Sequence, residues 1–310
     1  MSKSACSFTP EPPVPIAPPC DDTFVRGCTY EDIPNVYVRH GSTDPIVRMT
    51  ARRDYMGLIR LFNTSDIATV LDAGANAGFA TLIFAARFPQ ARIVSVEAER
   101  SNFGMLQRNT RHLDNVWPLN AALSDRLGWQ TMGPARLGNE YASQTFRSSY
   151  RAEGAGAGQR ANSWRVRLAS GEPQRSPLVR TLGVAHLMRH LCMPRIDFLK
   201  LDVEGSELHV LSNATDLAWL RAVRYAFVET HDKMPESDGS RAASLRALSG
   251  AGMRVSAVTV RGESLLLGCS GELPLAHCSS LCGRWMAYDA AVWGHVVPGR
   301  LRCRNLYRSQ

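Results

Sequence analysis

Three stretches of this chain carry side chains whose types and spacing could do chemistry. The first, LDAGANAGFATL at 71–82, places an acid, Asp72, before a run of small residues in which Gly74, Asn76 and Gly78 alternate with alanine. Such a backbone lets a ligand approach closely, and the helix that follows offers unpaired N–H groups to a carboxylate or phosphate. The second, KLDVEGSE at 200–207, holds Lys200, Asp202, Glu204 and Glu207, and the third, VETHD at 228–232, holds Glu229 and His231. Histidine exchanges a proton near neutral pH, and a carboxylate beside it can orient it or a substrate. These residue types allow proton transfer next to a closely held ligand.

The patterning says which elements must position them. From residue 67 strands (67–73, 91–98, 115–123) alternate with helices (79–88, 101–113). After a break come helix 181–191, strand 195–202, helix 206–214, strand 223–229, helix 240–251 and strand 253–260. This alternation implies a parallel sheet with crossover helices. In such a sheet ligands bind beyond the carboxyl ends of the strands, where strand order reverses, and residues 72–78 fill the first strand-to-helix turn. Four regions are expected: a proline-rich disordered lead at 1–27, an N-terminal cap at 28–65, a main domain at 66–268 and a cysteine-bearing extension at 269–310. The cap would hold a strand at 35–39 and a helix opened by Asp44 and Pro45. The main domain would carry an insertion at 126–178, which contains GAGAG and one hairpin.

Composition narrows the function classes. With 45% hydrophobic residues, 310 residues bury a full core. The net charge of +8 comes almost entirely from arginine, lysine occurring only at Lys3, Lys200 and Lys233. The basic residues are spread along the chain, which favours anionic small partners over a nucleic-acid stripe. The first 20 residues have no apolar run of signal-peptide length, and no stretch has the ~18 apolar residues of a membrane span. A soluble, cytoplasmic protein without a membrane partner is expected. Of the eight cysteines, Cys269, Cys278, Cys282 and Cys303 cluster late in the chain with His277, but Cys278 to Cys282 is a lone C-x3-C. Buried thiols or a local disulfide are expected there rather than a metal.

Three ligand classes compete for the first turn. A phosphate loop needs a G-K-[ST] ending, which is missing. A dinucleotide site needs G-x-G-x-x-G, and Asn76 stands where the second glycine should be. S-adenosylmethionine sites carry acid-x-G-x-G-x-G, which Asp72, Gly74 and Gly78 fit with Asn76 in the middle. Glu97 ends the next strand, where a carboxylate can accept both ribose hydroxyls in either of the last two classes.

Here the chain resembles the FkbM family of S-adenosylmethionine-dependent methyltransferases, in which Asn is usual at the position of Asn76. SVEAERSNFGMLQRN with Glu97, NAALSDRLG, IDFLKLDVEGSELHVL and VETHDKM resemble the family's later blocks, the likeness covering roughly residues 67 to 260. The resemblance implies an α/β fold, a Rossmann-like seven-stranded class I methyltransferase sheet with helices on both faces. It implies S-adenosyl-L-methionine as cofactor, with Asp72, Gly74, Asn76 and Gly78 around the methionine, Glu97 at the ribose and Asp125 at the adenine end. One departure is Leu182 followed by Gly183, where family members often have Leu-Asp.

For the acceptor, the absence of an N-P-P-Y-like tetrapeptide after the fourth strand argues against a nucleic-acid base, and the resemblance points to a small hydroxylated molecule. His231 is expected as general base with Asp202 orienting it or the substrate, and Glu207 as an acid favouring a helix N-terminus. Lys200, Asp202 and Glu204 are expected not to share one face. A divalent cation on Asp202, Glu229 and His231 is possible but unsupported, so no metal ligand is assigned. Two other readings stay open, an NAD-dependent oxidoreductase and an inactive methyltransferase-fold binding module; the sequence says nothing of oligomeric state.

Overall fold

The computed structural model describes residues 24–30, 33–39, 42, 44–125, 127–134, 164–167, 178–212, 217–232, 238–260, 263–293 and 303–306. An antiparallel pair, β1 (Phe24–Tyr30) and β2 (Ile33–Arg39), leads into helix α1 (Asp44–Ile59). Then follow β3 (Thr69–Ala73), α2 (Phe79–Arg87), β4 (Arg92–Glu97), α3 (Arg100–Thr110), β5 (Val116–Asn120) and β6 (Ala122–Leu123). After β7 (Gly128–Pro134), β8 (Trp164–Arg167) and β9 (Leu178–Leu182), the chain runs through α4 (Val184–His190), β10 (Ile196–Leu201), α5 (Glu207–Ser212) and β11 (Val223–Thr230). It closes with α6 (Ser240–Gly250), β12 (Arg254–Val260), β13 (Glu263–Cys269), α7 (Leu275–Trp293) and β14 (Cys303–Asn305).

The main sheet has the order β14-β12-β13-β11-β10-β3-β4-β5. Strands β5, β4, β3, β10 and β11 are parallel, and β13 enters antiparallel between β11 and β12. The expected seven strands are all present, and short β14 adds an eighth at the edge beside β12. From β3 the chain winds outward through β4 to β5, then crosses back to β10 on the other side of β3. The reversal point therefore lies between the carboxyl ends of β3 and β10.

All six residues of β10 are buried, as a central parallel strand covered on both faces must be. Successive side chains enter opposite layers. Phe198, Tyr225 and Phe227 join Tyr55, Phe84, Leu281 and Trp285 on one face. Leu199, Ala226 and Val228 join Leu187, Leu220 and Leu248 on the other. The first layer is held by edge-on aromatic pairs, Tyr55 with Phe84 at 5.5 Å and with Phe227 at 5.2 Å between ring centres.

Several expectations are revised. The strand expected at 115–123 is two: β5 stays in the main sheet, while β6 joins β9, β7 and β8 in a separate four-stranded sheet. The helix expected at 181 starts after Gly183, because Thr181 and Leu182 pair with Ala122 and Leu123 in that sheet. Within the extension expected at 269–310, Cys278, Leu281, Cys282 and Trp285 of α7 lie in the core layer of Phe227. Cys269 and Cys278 form a disulfide across a sequence separation of 9, and His277 lies 2.9 Å from the Tyr225 hydroxyl. Residues 1–23 of the lead expected at 1–27 and most of the insertion expected at 126–178 lie outside the described residues, while 24–27 of that lead fall in strand β1. None of the described helices is long and apolar enough to cross a membrane.

Candidate active site

The site is built from the ends of β3, β4, β10 and β11. Asp72 and Lys200 occupy the same level of neighbouring strands. Their side chains meet inside the protein, Lys200 Nζ to Asp72 Oδ1 at 3.3 Å, with side-chain exposures of 3% and 0%. Thr81 donates to the other oxygen of Asp72 at 2.6 Å. Lys200 also donates to the Gly74 carbonyl at 2.7 Å and lies 3.4 Å from Asp202 Oδ2. Burial works against its charge, but the Asp72 and Asp202 carboxylates outweigh that and hold it above the ordinary lysine range. Asp72 thus acts through Lys200 to pin the loop, with no surface of its own toward a ligand.

The loop owes its small residues to the chain itself. Gly74, Asn76 and Gly78 all have positive φ, at 80°, 51° and 89°. A Cβ on Gly74 would fall 1.7 Å from the Asp202 carbonyl oxygen, and one on Gly78 would fall 2.9 Å from Leu106 Cδ1. The space that the sequence reading reserved for a ligand beside these two glycines is filled by β10's end and by α3. The five loop N–H groups are likewise spoken for. Those of Gly74 and Ala75 donate to Val96, that of Gly78 to Ala75, that of Asn76 to Glu97 Oε2 and that of Ala77 to Asn76 Oδ1.

Glu97 ends β4 with one oxygen on the Asn76 N–H and the other on the Glu99 N–H, both at 2.8 Å. Burial pushes its carboxyl up to about 7 against the pull of these donors. Glu99 caps α3 through Ser101 and Asn102, which fixes the turn beyond Glu97. Asp125 sits beyond β6, half-buried, with Ser124 donating to it at 3.2 Å. It is therefore carried by the smaller sheet rather than by β5.

Across the reversal point lies the second cluster. His231 follows β11 directly and is only 4% exposed. Its backbone N–H donates to Ser240 Oγ, while Asp232 caps α6 through Gly239, Ser240 and Arg241. Nδ1 of His231 lies 3.0 Å from Glu207 Oε1, and Glu207, fully buried, also accepts from the Val203 N–H. Nε2 points at Asp202 Oδ1, 3.9 Å away, and Glu204 Oε2, 3.7 Å away. Burial alone would lower the pKa of this imidazole, but Glu207, Glu204 and Glu229 raise it well above the ordinary value. These neighbouring carboxylates favour the imidazolium form of His231.

Lys200, Asp202 and Glu204 also depart from expectation, since all three face this cleft. Residues two apart on a strand share a face, and the chain beyond Leu201 keeps Asp202 turned toward both Lys200 and His231. Two contributors escaped the sequence reading. Glu207 looked like an acid at a helix start, and only the packing of α5 beside the end of β11 brings it to His231. Tyr55 of α1, buried, has Lys200 Nζ 5.7 Å from its ring centre, and burial followed by Asp202 and Glu229 raises its pKa. No local sequence signal connects α1 to this site.

Residues 72–255 match the methyltransferase FkbM domain. The AMB antimetabolite synthetase AmbE of Pseudomonas aeruginosa is 31% identical over 222 residues, 65% of this chain and 10% of AmbE. The methyltransferase sdnD of Sordaria araneosa is 28% identical over 171 residues, 52% of this chain and 65% of sdnD. The chain thus spans about a tenth of the one relative and just under two thirds of the other. Among solved structures, the methyltransferase FkbM of Methylobacillus flagellatus KT is similar at a TM-score of 0.41 and 12% identity, covering 66% of this chain and 44% of that one. The N-terminal domain of EvdMO1 with SAH bound gives 0.39 and 16%, covering 80% and 92%. With its reversal-point loop and both clusters inside a match to more than half its length, this chain belongs to the methyltransferase FkbM domain family.

Proposed function

We propose that this protein transfers the methyl group of S-adenosyl-L-methionine to a hydroxyl of a sugar, polyketide or other small natural product. The observation that carries the cofactor reading is the closed loop: all five N–H groups from Gly74 to Gly78 have acceptors within the chain. A pyrophosphate needs donors at this turn, so the geometry disfavours a dinucleotide. What the site offers instead is an acceptor, the Glu97 carboxylate, whose remaining lone pairs suit the two hydroxyls of a ribose. In this reading the methionine part lies along the loop from Gly74 to Gly78, with Asn76 at its turn and Asp72 supporting it from beneath. Asp125 stands toward the adenine.

Methyl transfer from a sulfonium is an in-line displacement, and holding the acceptor in line supplies up to about 7–11 kcal/mol in favourable intramolecular cases. The acceptor side is lined by Asp202, Glu204 and His231, groups that hold hydroxyls by hydrogen bonds. In this reading the acceptor proton passes to the Asp202–His231 pair, whose facing atoms are 3.9 Å apart. The names of the two relatives, an antimetabolite synthetase and a methyltransferase, fit a small-molecule acceptor. Calorimetry with S-adenosylmethionine and NAD in parallel tests the cofactor. Incubation with methyl-labelled cofactor and a panel of polyhydroxylated and amine acceptors tests the chemistry. Label on oxygen is expected; NAD binding alone would discard the cofactor reading, and label only on nitrogen would discard O-methylation.

A further inference from the structure

The imidazole of His231 is more than nine-tenths buried, and its Nε2 has no hydrogen-bond partner. A buried polar atom left this way is destabilising unless something outside the protein satisfies it. Nε2 faces Asp202 Oδ1 at 3.9 Å and Glu204 Oε2 at 3.7 Å, both too far for a hydrogen bond. Those separations do suit a shared ion. Two ligands each bonded at about 2.1 Å to one metal stand at most about 4.2 Å apart. On its far side the ring is held by Glu207 at 3.0 Å, the carboxylate-to-histidine contact that fixes a metal-binding imidazole. Asp202, Glu207 and His231 each present a ligand atom within 4.8 Å of the others. The side chains of Asp202 and Glu204 are each 22% exposed, although Glu204 Oε2 itself is buried.

We propose that His231 Nε2, Asp202 and Glu204 bind a divalent cation of the Mg²⁺/Mn²⁺ class, with Glu207 as the positioning residue that orients His231. Carboxylate oxygens with one imidazole suit such an ion better than a thiolate-seeking one. Three protein donors leave about three of six positions open, enough for a pair of acceptor hydroxyls. This use of the ion rests on the proposed O-methylation, because a bound hydroxyl loses its proton more readily. Ion binding itself does not depend on that reading.

The test is titration of Mn²⁺ into the EDTA-treated full-length protein, followed by electron paramagnetic resonance of the free ion. One saturable equivalent is expected. His231→Ala and Asp202→Asn should abolish it, and Glu207→Gln should weaken it about 10- to 100-fold. Circular dichroism in EDTA checks that each variant is folded, and the wild-type titration stands even where a variant is not. No saturable uptake by the wild type, or uptake unchanged in folded His231→Ala and Asp202→Asn proteins, would overturn the site. S-adenosylmethionine titrated into the same EDTA-treated protein separates the two ideas. Cofactor binding without Mn²⁺ uptake discards the cation alone, and Mn²⁺ uptake without cofactor binding keeps the cation site and discards the cofactor reading.

Discussion

Glu97 is where residue chemistry and ligand binding meet most directly. Its pKa of about 7 in the free protein arises from burial, and ribose hydroxyls donate to the ionised form. The neutral acid must lose its proton for the carboxylate to accept them. S-adenosylmethionine should therefore bind more tightly as pH rises from 5 to 7 and level off above, by up to about tenfold per pH unit if one proton is released. In Glu97→Gln, calorimetry should show weaker binding with no such slope; a slope that survives the substitution would assign the titration elsewhere. The sign is opposite for folding, since a raised carboxyl favours the native state at low pH and that contribution is lost as pH rises through about 7. Gly74 tests a different link. With φ at 80° and the Asp202 carbonyl 1.7 Å from a would-be Cβ, Gly74→Ala must move β10's end. Thermal denaturation should show a loss of roughly 2–5 kcal/mol, left-handed strain and overpacking adding together. An unchanged melting temperature would contradict the close approach of the two strand ends.

Elements decide which segments the active fold needs. The C-terminal portion reads as an appendage because a lone helix after a domain-sized run of alternating elements has no pattern linking it to the sheet. In three dimensions α7 covers the aromatic layer through Leu281 and Trp285, and β14 pairs along β12. A chain ending at residue 268 would uncover Phe227 and Tyr225 and leave β12 as an open edge. Removing Leu281 and Trp285 from that core costs several kcal/mol, about 2–5 for the leucine and about 3–5 for the tryptophan. That shortened protein should lack a cooperative melting transition by circular dichroism, whereas one melting like the whole would make the segment a true extension. Strand β9 carries a related lesson. Thr181-Leu182-Gly183 has helical neighbours on its right, yet the chain pairs the first two residues with β6 and starts α4 only after the glycine. Local propensity loses there to a partner strand 58 or more residues earlier, which no window of sequence contains.

At the scale of the molecule, the five parallel strands and their helices form a frame that brings four strand ends to one cleft. Whether that frame is used for catalysis or only for binding is decided by ligand linkage. S-adenosylmethionine at 100 times its dissociation constant should add about 2.7 kcal/mol to the stability, read as a rise in melting temperature. No rise at saturating cofactor would favour an inactive module on the same fold. The sequence by itself determined the alternation of strands and helices, hence the parallel sheet. It also determined the turn after β3 and the positions of Glu97, Asp202 and His231 at strand ends, because periodicity and glycine placement are local signals. Only the tertiary structure decided that Lys200 neutralises Asp72 beneath the loop, that Glu207 grips His231, and that α1 and α7 close the aromatic layer. It also showed that a Cβ on Gly74 would meet the end of β10 and one on Gly78 would meet α3. Those facts depend on which distant segments become neighbours, and for Lys200 and His231 the carboxylates those segments bring outweigh burial.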